Sequence, residues 1–430
     1  MSNPSTTEPH SFEPIRLFLI LGSGFFISWG PGLQKTVILN LYRLFPLFAG
    51  ALVIYWVILG RDRFGAFPWT YNFFILFLLI HTGIVYLFLY PSEFTFKYTG
   101  ILYTQSDYVL QAGTRGITVA RIVLFIFFAY AFSSLMKSRR EFTFFSFAYG
   151  LGYLSAILLG GHKTIDAIQG FARATGGFLN PNSMGMAGLL CCYLNLTVFL
   201  GDQAKSRMKV ISLIFILIGI YGVLASVSRN TLAAFFCGGM VIIWYLPLIK
   251  KIRVMLLLVL FSFVAATTLL PVSILTTISK RITVQNVKET NWSMRREIWS
   301  DYILAADRYF YTGLGLGRSV EAVRDTYTFD SAKPLIPHQT YLQLLVEFGI
   351  IGLVLYIAAV WKLLKRGIQL SSSHAGGIQN AVMLGLLSAI IIYGIIGSIL
   401  GERAVWLSLG AIAFVQTRLG ENNQASFPHP

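Results

Sequence analysis

The sequence predicts an all-α integral membrane protein of about twelve transmembrane helices, with one large, partly helical loop between the ninth and tenth. Three observations carry that reading. Of 430 residues, 55% are hydrophobic and only 12% are charged, about half the roughly 25% usual for soluble domains. Such a balance excludes a soluble globular enzyme, and it excludes disorder, which needs low hydrophobicity and high charge. Twelve apolar runs approach the ~20 residues that a helix needs to cross hydrocarbon. Basic residues gather in tight clusters in alternate loops, the pattern of cytoplasmic connections.

The runs lie near 16–30, 35–59, 69–90, 117–136, 142–160, 182–201, 208–227, 231–249, 253–273, 340–364, 380–400 and 402–418. The first is broken by Gly22, Gly24 and Gly30 but has no basic n-region or small-residue cleavage site, so it reads as a retained span rather than a signal peptide. With the N-terminus inside, the inner loops hold Arg61 and Arg63; Lys137, Arg139 and Arg140; Lys205, Arg207 and Lys209; Lys250, Lys251 and Arg253; Lys362, Lys365 and Arg366. Arg16 and Arg418 add to the same side, so much of the +16 net charge is a topology signal and both termini are expected in the cytoplasm. It is not a nucleic-acid footprint. Residues 1–430 read as a single polytopic domain with no internal repeat.

Two outer loops stand out. The 91–116 loop is rich in Tyr and Phe and is expected along the interface. The 274–339 loop carries nine basic and seven acidic residues, and its length argues for short helices and a functional role. Within it, Ser293 to Leu304 reads as an amphipathic helix opened by a Ser cap. Cys191, Cys192 and Cys237 fall inside apolar runs without metal-ligand spacing.

Ionisable groups at or within spans are costly, so each is a site candidate: Arg43, His81, Arg121, Arg229, Glu347, Glu402 and Arg403. The sharpest cluster is Pro337-His338-Gln339-Thr340-Tyr341, continuing to Gln343, Glu347 and Gly349. It places His338 at the outer N-terminus of the tenth span, where free N–H groups favour anions. Gln339, Gln343 and Glu347 recur every four residues on one face. Two readings stand open for that face, a site or a polar stripe packed on neighbouring spans; for Glu347 the structural one is preferred. Ser226 to Thr231 forms a polar hairpin whose single charge, Arg229, is either an interfacial snorkelling arginine or a phosphate clamp.

Arg295 and Arg296 with Glu297 and Trp299, then Gly313-Leu-Gly315-Leu-Gly317-Arg318, form a third element. No strand-to-helix context surrounds these glycines, so a nucleotide fingerprint is rejected. Asn180-Pro181-Asn182-Ser183 is first a helix start and second a sugar-binding turn. The outer loops show no carboxylate cluster for a divalent ion and no Ser-His-Asp arrangement. Arginines, one helix-end histidine, amides and aromatics suit a lipid-linked pyrophosphate.

Arg295-x-x-x-Trp299, Gly-Leu-Gly and His338-x-x-Tyr341-Leu-x-x-x-x-Glu347-x-Gly349 resemble, in order and spacing, the signature of the O-antigen ligase and polymerase superfamily. Ser228-Arg229-Asn230 and Asn180-Pro-Asn-Ser-Met-Gly185 fit it too, over about 175–420; Gln339 departs, since many members have Asn there. The resemblance implies a C-type glycosyltransferase-like fold in the bacterial inner membrane with a periplasmic active site. It implies transfer of glycan from undecaprenyl-diphosphate-linked O-antigen to lipid A–core, with inversion and with neither metal nor other cofactor. The expected catalytic residues are then His338, as base or pyrophosphate ligand, Arg229 and Arg295. Arg296, Arg318, Gln339, Tyr341 and Asn182 complete the expected substrate-binding set. O-antigen polymerase, protein O-oligosaccharyltransferase and, in another class, a polyprenyl-saccharide flippase remain as alternatives.

Overall fold

A computed structural model describes residues 13–27, 29, 44–59, 66–89, 112–160, 178, 181–201, 204–264, 292–323, 337–372 and 377–419. Arg43, most of the 91–116 loop, and His162 to Arg173 lie outside these residues, as do 265–291 and 324–336. Each apolar run holds a helix: α1 (Glu13–Ile27), α2 (Leu44–Leu59), α3 (Trp69–Ile84, continued by a π turn at Val85–Leu89), α4 (Ala112–Leu135), α5 (Arg139–Gly160), α6 (Pro181–Phe199), α7 (Ser206–Ala225), α8 (Arg229–Tyr245), α9 (Leu248–Val264), α12 (Thr340–Ser371), α13 (Gly377–Ile396) and α14 (Arg403–Phe414, continued by a π turn at Val415–Leu419). Between α9 and α12 lie α10 (Trp292–Tyr309) and the single turn α11 (Ser319–Ala322). Among the described residues, six helices are long and apolar enough to cross a membrane: α3 with its π turn, α5, α6, α7, α12 and α13. This is a multi-pass membrane protein.

In hydrocarbon, helix association relies on close backbone approach rather than on water exclusion. α6 meets α7 at Gly188 and Gly219, where an added Cβ would sit 2.8 and 2.7 Å from the partner's carbonyl oxygen. α8 meets α13 in the same way at Gly238 and Gly385, at 2.4 and 2.6 Å. The broad faces turned to lipid carry Phe236, Met240 and Trp244 on α8 and Val210 and Ile214 on α7.

The bundle has two chemically different ends. At one, the basic end, lie the turns α4/α5, α6/α7, α8/α9 and α12/α13, with the clusters from Lys137 to Arg366 beside them. Arg16 is there too, but it is not a free positive charge. It is buried, donates to both oxygens of Glu141 (2.7 and 2.9 Å) and to Glu13 (2.6 and 3.0 Å), and ties α1 to α5. The opposite end holds the α7/α8 hairpin, the start of α12 and the α13/α14 loop.

α10 is amphipathic as expected, and begins at Trp292 rather than after a Ser293 cap. Ile298, Tyr302, Ala305 and Ala306 form its buried stripe, closing with Leu314, Ala322, Val323 and Val346 into a small second core. The stripe lies at i, i+4, i+7 and i+8, the core face of an α-helix. It docks α10 on the first turns of α12.

Candidate active site

α12 is not the uninterrupted helix that its apolar run predicts. Gly349 is non-helical inside it (φ 67°, ψ −173°), so Thr340–Phe348 is a short segment set off from the long one that follows. The 310–317 loop fills the break: Ile350 N donates to Phe310 O (2.6 Å), Leu314 N to Val346 O (2.9 Å) and Gly315 N to Glu347 O (2.8 Å). Gly313, Gly315 and Gly317 all have positive φ, which only glycine adopts without strain, so alternate glycines are required here. From the other side the end of α3 supports the loop. Tyr86 donates to Leu316 O at 2.8 Å, and His81 Nε2 lies 2.6 Å from Thr312 O, so that nitrogen carries the proton.

Glu347 is fully buried in this junction. Gln343 Nε2 donates to its Oε1 at 3.0 Å, and the Gly317–Ser319 turn faces the same carboxyl. It is a structural tie. Arg318 is also scaffold: it is buried and ion-paired with Glu321. Gln339 caps the helix, its Oε1 accepting from Leu342 N.

His338 stands just before that cap with φ 47°, a left-handed conformation that is uncommon for a residue with a Cβ. Trp299 holds it there, donating from its indole N–H to Pro337 O at 2.9 Å. Arg295 is one turn before Trp299 on α10, so the Arg-x-x-x-Trp spacing sets a guanidinium beside the imidazole while the tryptophan anchors the loop. Burial and the Arg295 charge hold the His338 pKa down at about 4. Burial and the Arg229 charge act in turn against the charge of Arg295, while Tyr393 favours it.

Arg229 opens α8. Ser228 caps that helix by accepting from Thr231 N (3.3 Å), and Val227 before it has φ 47°. A strained non-glycine residue thus lies two before Arg229, and His338 is itself one, as is common at functional sites. The next residue, Asn230, donates to Ile396 O at 2.9 Å. Thr340 donates to Gly397 O (2.7 Å) and accepts from Ile399 N (3.2 Å), and Ser398 donates to Gln343. The α13/α14 loop is therefore clasped between the arms that carry Arg229 and His338.

Arg295 lies within electrostatic reach of both Arg229 and His338, and none of the three has a hydrogen-bond or ion-pair partner among the described residues. The rest of the expected set is more dispersed. Arg296 is solvent-exposed on α10, Tyr341 packs edge-on to Tyr356, and Asn182 is half-buried in the first turn of α6. Tyr393, buried on α13 near Arg295, was not singled out by sequence, where it reads as a core aromatic. Among the described residues no three His, Cys, Asp or Glu side chains gather to hold a metal.

A family model described as O-antigen ligase (Wzy_C) matches residues 214–357, from α7 to the middle of α12. Over that stretch the chain is similar to the O-antigen ligase family. The matched stretch contains Arg229, Arg295, Arg296, Arg318, His338, Gln339 and Tyr341; Asn182, Tyr393 and Glu402 lie outside it. The family's activity is glycosyl transfer of the ligase and polymerase kind. No curated protein matches the chain.

Proposed function

We propose that the protein is an O-antigen ligase, transferring glycan from undecaprenyl-diphosphate-linked O-antigen to lipid A–core on the periplasmic face of the bacterial inner membrane. The observation that carries this is the cluster of Arg229, Arg295 and His338. Two partnerless guanidiniums beside a histidine repel one another until an anion arrives, and paired guanidinium donors suit a diphosphate. A sugar diphosphate is already activated, so the protein must orient the acceptor hydroxyl and stabilise charge on the departing diphosphate. Arg229 and Arg295 supply the stabilisation. A pKa of about 4 makes His338 a weak base and favours its role as a neutral hydrogen-bond donor to the diphosphate. Attack opposite the leaving group inverts the anomeric centre.

The twelve helices are read as spans, with the basic end in the cytoplasm. An apolar groove of about 130 Å³, lined by Tyr193, Leu196, Leu217, Phe235 and Met240, runs beside α8 below Arg229. It suits a polyprenyl tail whose head is held at Arg229.

The test is reconstitution with lipid-linked O-antigen and lipid A–core. Glycan on lipid A–core is expected; lengthened lipid-linked glycan would identify a polymerase instead. Ligation by His338→Ala at near wild-type rate would overturn the catalytic role of His338, and a retained anomeric configuration would overturn direct displacement.

A further inference from the structure

An acceptor hydroxyl must lose its proton, and the site as described contains cations and a weakly basic imidazole but no carboxylate. Glu347 is sealed into the α12 junction. Among the described residues, Glu297, Asp301 and Asp307 lie on α10 and Glu321 is paired with Arg318 on α11; on the spans themselves the other carboxylate at this end is Glu402, where the α13/α14 loop enters α14. That loop is the one clasped by Asn230, Thr340 and Gln343. Glu402 N donates to Ile399 O at 3.0 Å, which closes a turn and brings its Cα to within about 7 Å of Ile399. Ile399 in turn touches Thr340, two residues from His338.

The carboxyl has the form of a held base. Oε1 accepts from Ser183 Oγ at 2.8 Å. Oε2 has no partner and is not sealed from solvent among the described residues. The adjacent Arg403 does not neutralise it at ion-pair distance: its guanidinium donates to Trp29 O at 2.8 Å and lies 5.5 Å over the Phe45 ring. Ser183 opens α6 beside the Arg229 hairpin, since a Cβ on Gly185 would meet Ser226 Oγ at 2.6 Å and Thr231 Oγ1 at 2.8 Å. An ionisable group kept at such a position is a functional candidate by default. Ser183 explains its orientation, but nothing in the packing requires its charge.

We propose that Glu402 is a further catalytic residue, taking the proton of the acceptor hydroxyl. The acceptor oxygen forms the new bond to the anomeric carbon, and the anomeric C–O bond to the diphosphate breaks with its electron pair leaving on the diphosphate. The proton passes to Glu402 Oε2 and then to solvent. Ser183 is a positioning residue. This role rests on the ligase reading above.

The experiment compares Glu402→Gln and Glu402→Asp with wild type in reconstituted transfer from lipid-linked O-antigen to lipid A–core, and measures inorganic pyrophosphate binding by calorimetry. Glu402→Gln is expected to lose at least ~100-fold in transfer, the usual scale for a general base, while pyrophosphate affinity stays within about twofold and Glu402→Asp recovers part of the rate. An acceptor whose hydroxyl is acidified by a neighbouring fluorine should narrow the gap between Glu402→Gln and wild type, since a weaker base then suffices. Near wild-type transfer by Glu402→Gln overturns the proposal alone. So does loss of pyrophosphate binding along with transfer, which marks a structural role. Wild-type protein that neither binds pyrophosphate nor transfers glycan overturns the ligase reading and this role with it.

Discussion

His338 has a pKa near 4 because burial and Arg295 both act against its protonation. A bound diphosphate opposes the Arg295 charge and raises that value, so the complex takes up a proton between about pH 4 and the raised pKa. Pyrophosphate affinity of wild type relative to His338→Gln is therefore expected to rise as pH falls through that window; taking the ratio cancels the titration of pyrophosphate itself. A ratio flat from pH 8 to 5 would show that the complex takes up no proton in that range and that His338 stays neutral in it. Arg229→Ala and Arg295→Ala each remove charge-assisted bonds of about 1.5–3 kcal/mol, so calorimetry should find pyrophosphate bound roughly 10- to 100-fold more weakly. Arg229 is conspicuous in the sequence because a charge at a span end is expensive, whereas Arg295 and His338 stand out through the Arg-x-x-x-Trp and Pro-His-Gln-Thr-Tyr motifs. Gln339 and Arg318 were legible only as polar groups. Whether such a group meets a substrate, a helix end or Glu321 depends on backbone turns that residue type does not reveal.

At the scale of elements, the junction between α10, the 310–317 loop and the break in α12 sets the site. Trp299 is its pin. Trp299→Phe keeps the aromatic packing and removes the bond to Pro337 O, a loss of about 1 kcal/mol in stability, and frees the left-handed His338 to relax; transfer should fall by more than that small destabilisation explains. Gly349→Ala is harsher, because φ is 67° and the new Cβ would lie 2.6 Å from Tyr311 O. It is expected to lower thermal stability by more than about 1 kcal/mol and to abolish transfer. Gly239→Ala, with nothing within 4 Å on α8, should be neutral or slightly stabilising in the same melt. Helix periodicity predicted α10 as an amphipathic helix over Ser293 to Leu304, short of its end at Tyr309. The break at Gly349 escaped it because a single glycine inside an apolar run reads as helix, and the loop that fills the break lies more than thirty residues upstream.

Across the whole molecule, the surplus of positive charge separates into two populations at opposite ends of the bundle. Clusters from Lys137 to Arg366 border the turns of one end, whereas Arg229, Arg295 and His338 gather at the other. Arg16 belongs to neither population, since Glu13 and Glu141 neutralise it where α1 meets α5. Glu141→Gln leaves Arg16 paired with Glu13 but weakens the two charge-assisted bonds to residue 141, so it is expected to cost about 1.5–3 kcal/mol and to appear as a lower melting temperature in detergent. The positive-inside bias predicts the sidedness on which the proposed function depends: the basic end in the cytoplasm and the proposed anion site outside. Single cysteines test this once Cys191, Cys192 and Cys237 have been replaced. Glu297→Cys, exposed on α10, should react with a membrane-impermeant maleimide in cells whose outer membrane alone is opened; Arg207→Cys, exposed in the first turn of α7, should react only after the inner membrane is broken. The reverse labelling would turn the molecule over, placing Arg229 and His338 in the cytoplasm, where a periplasmic ligase cannot work.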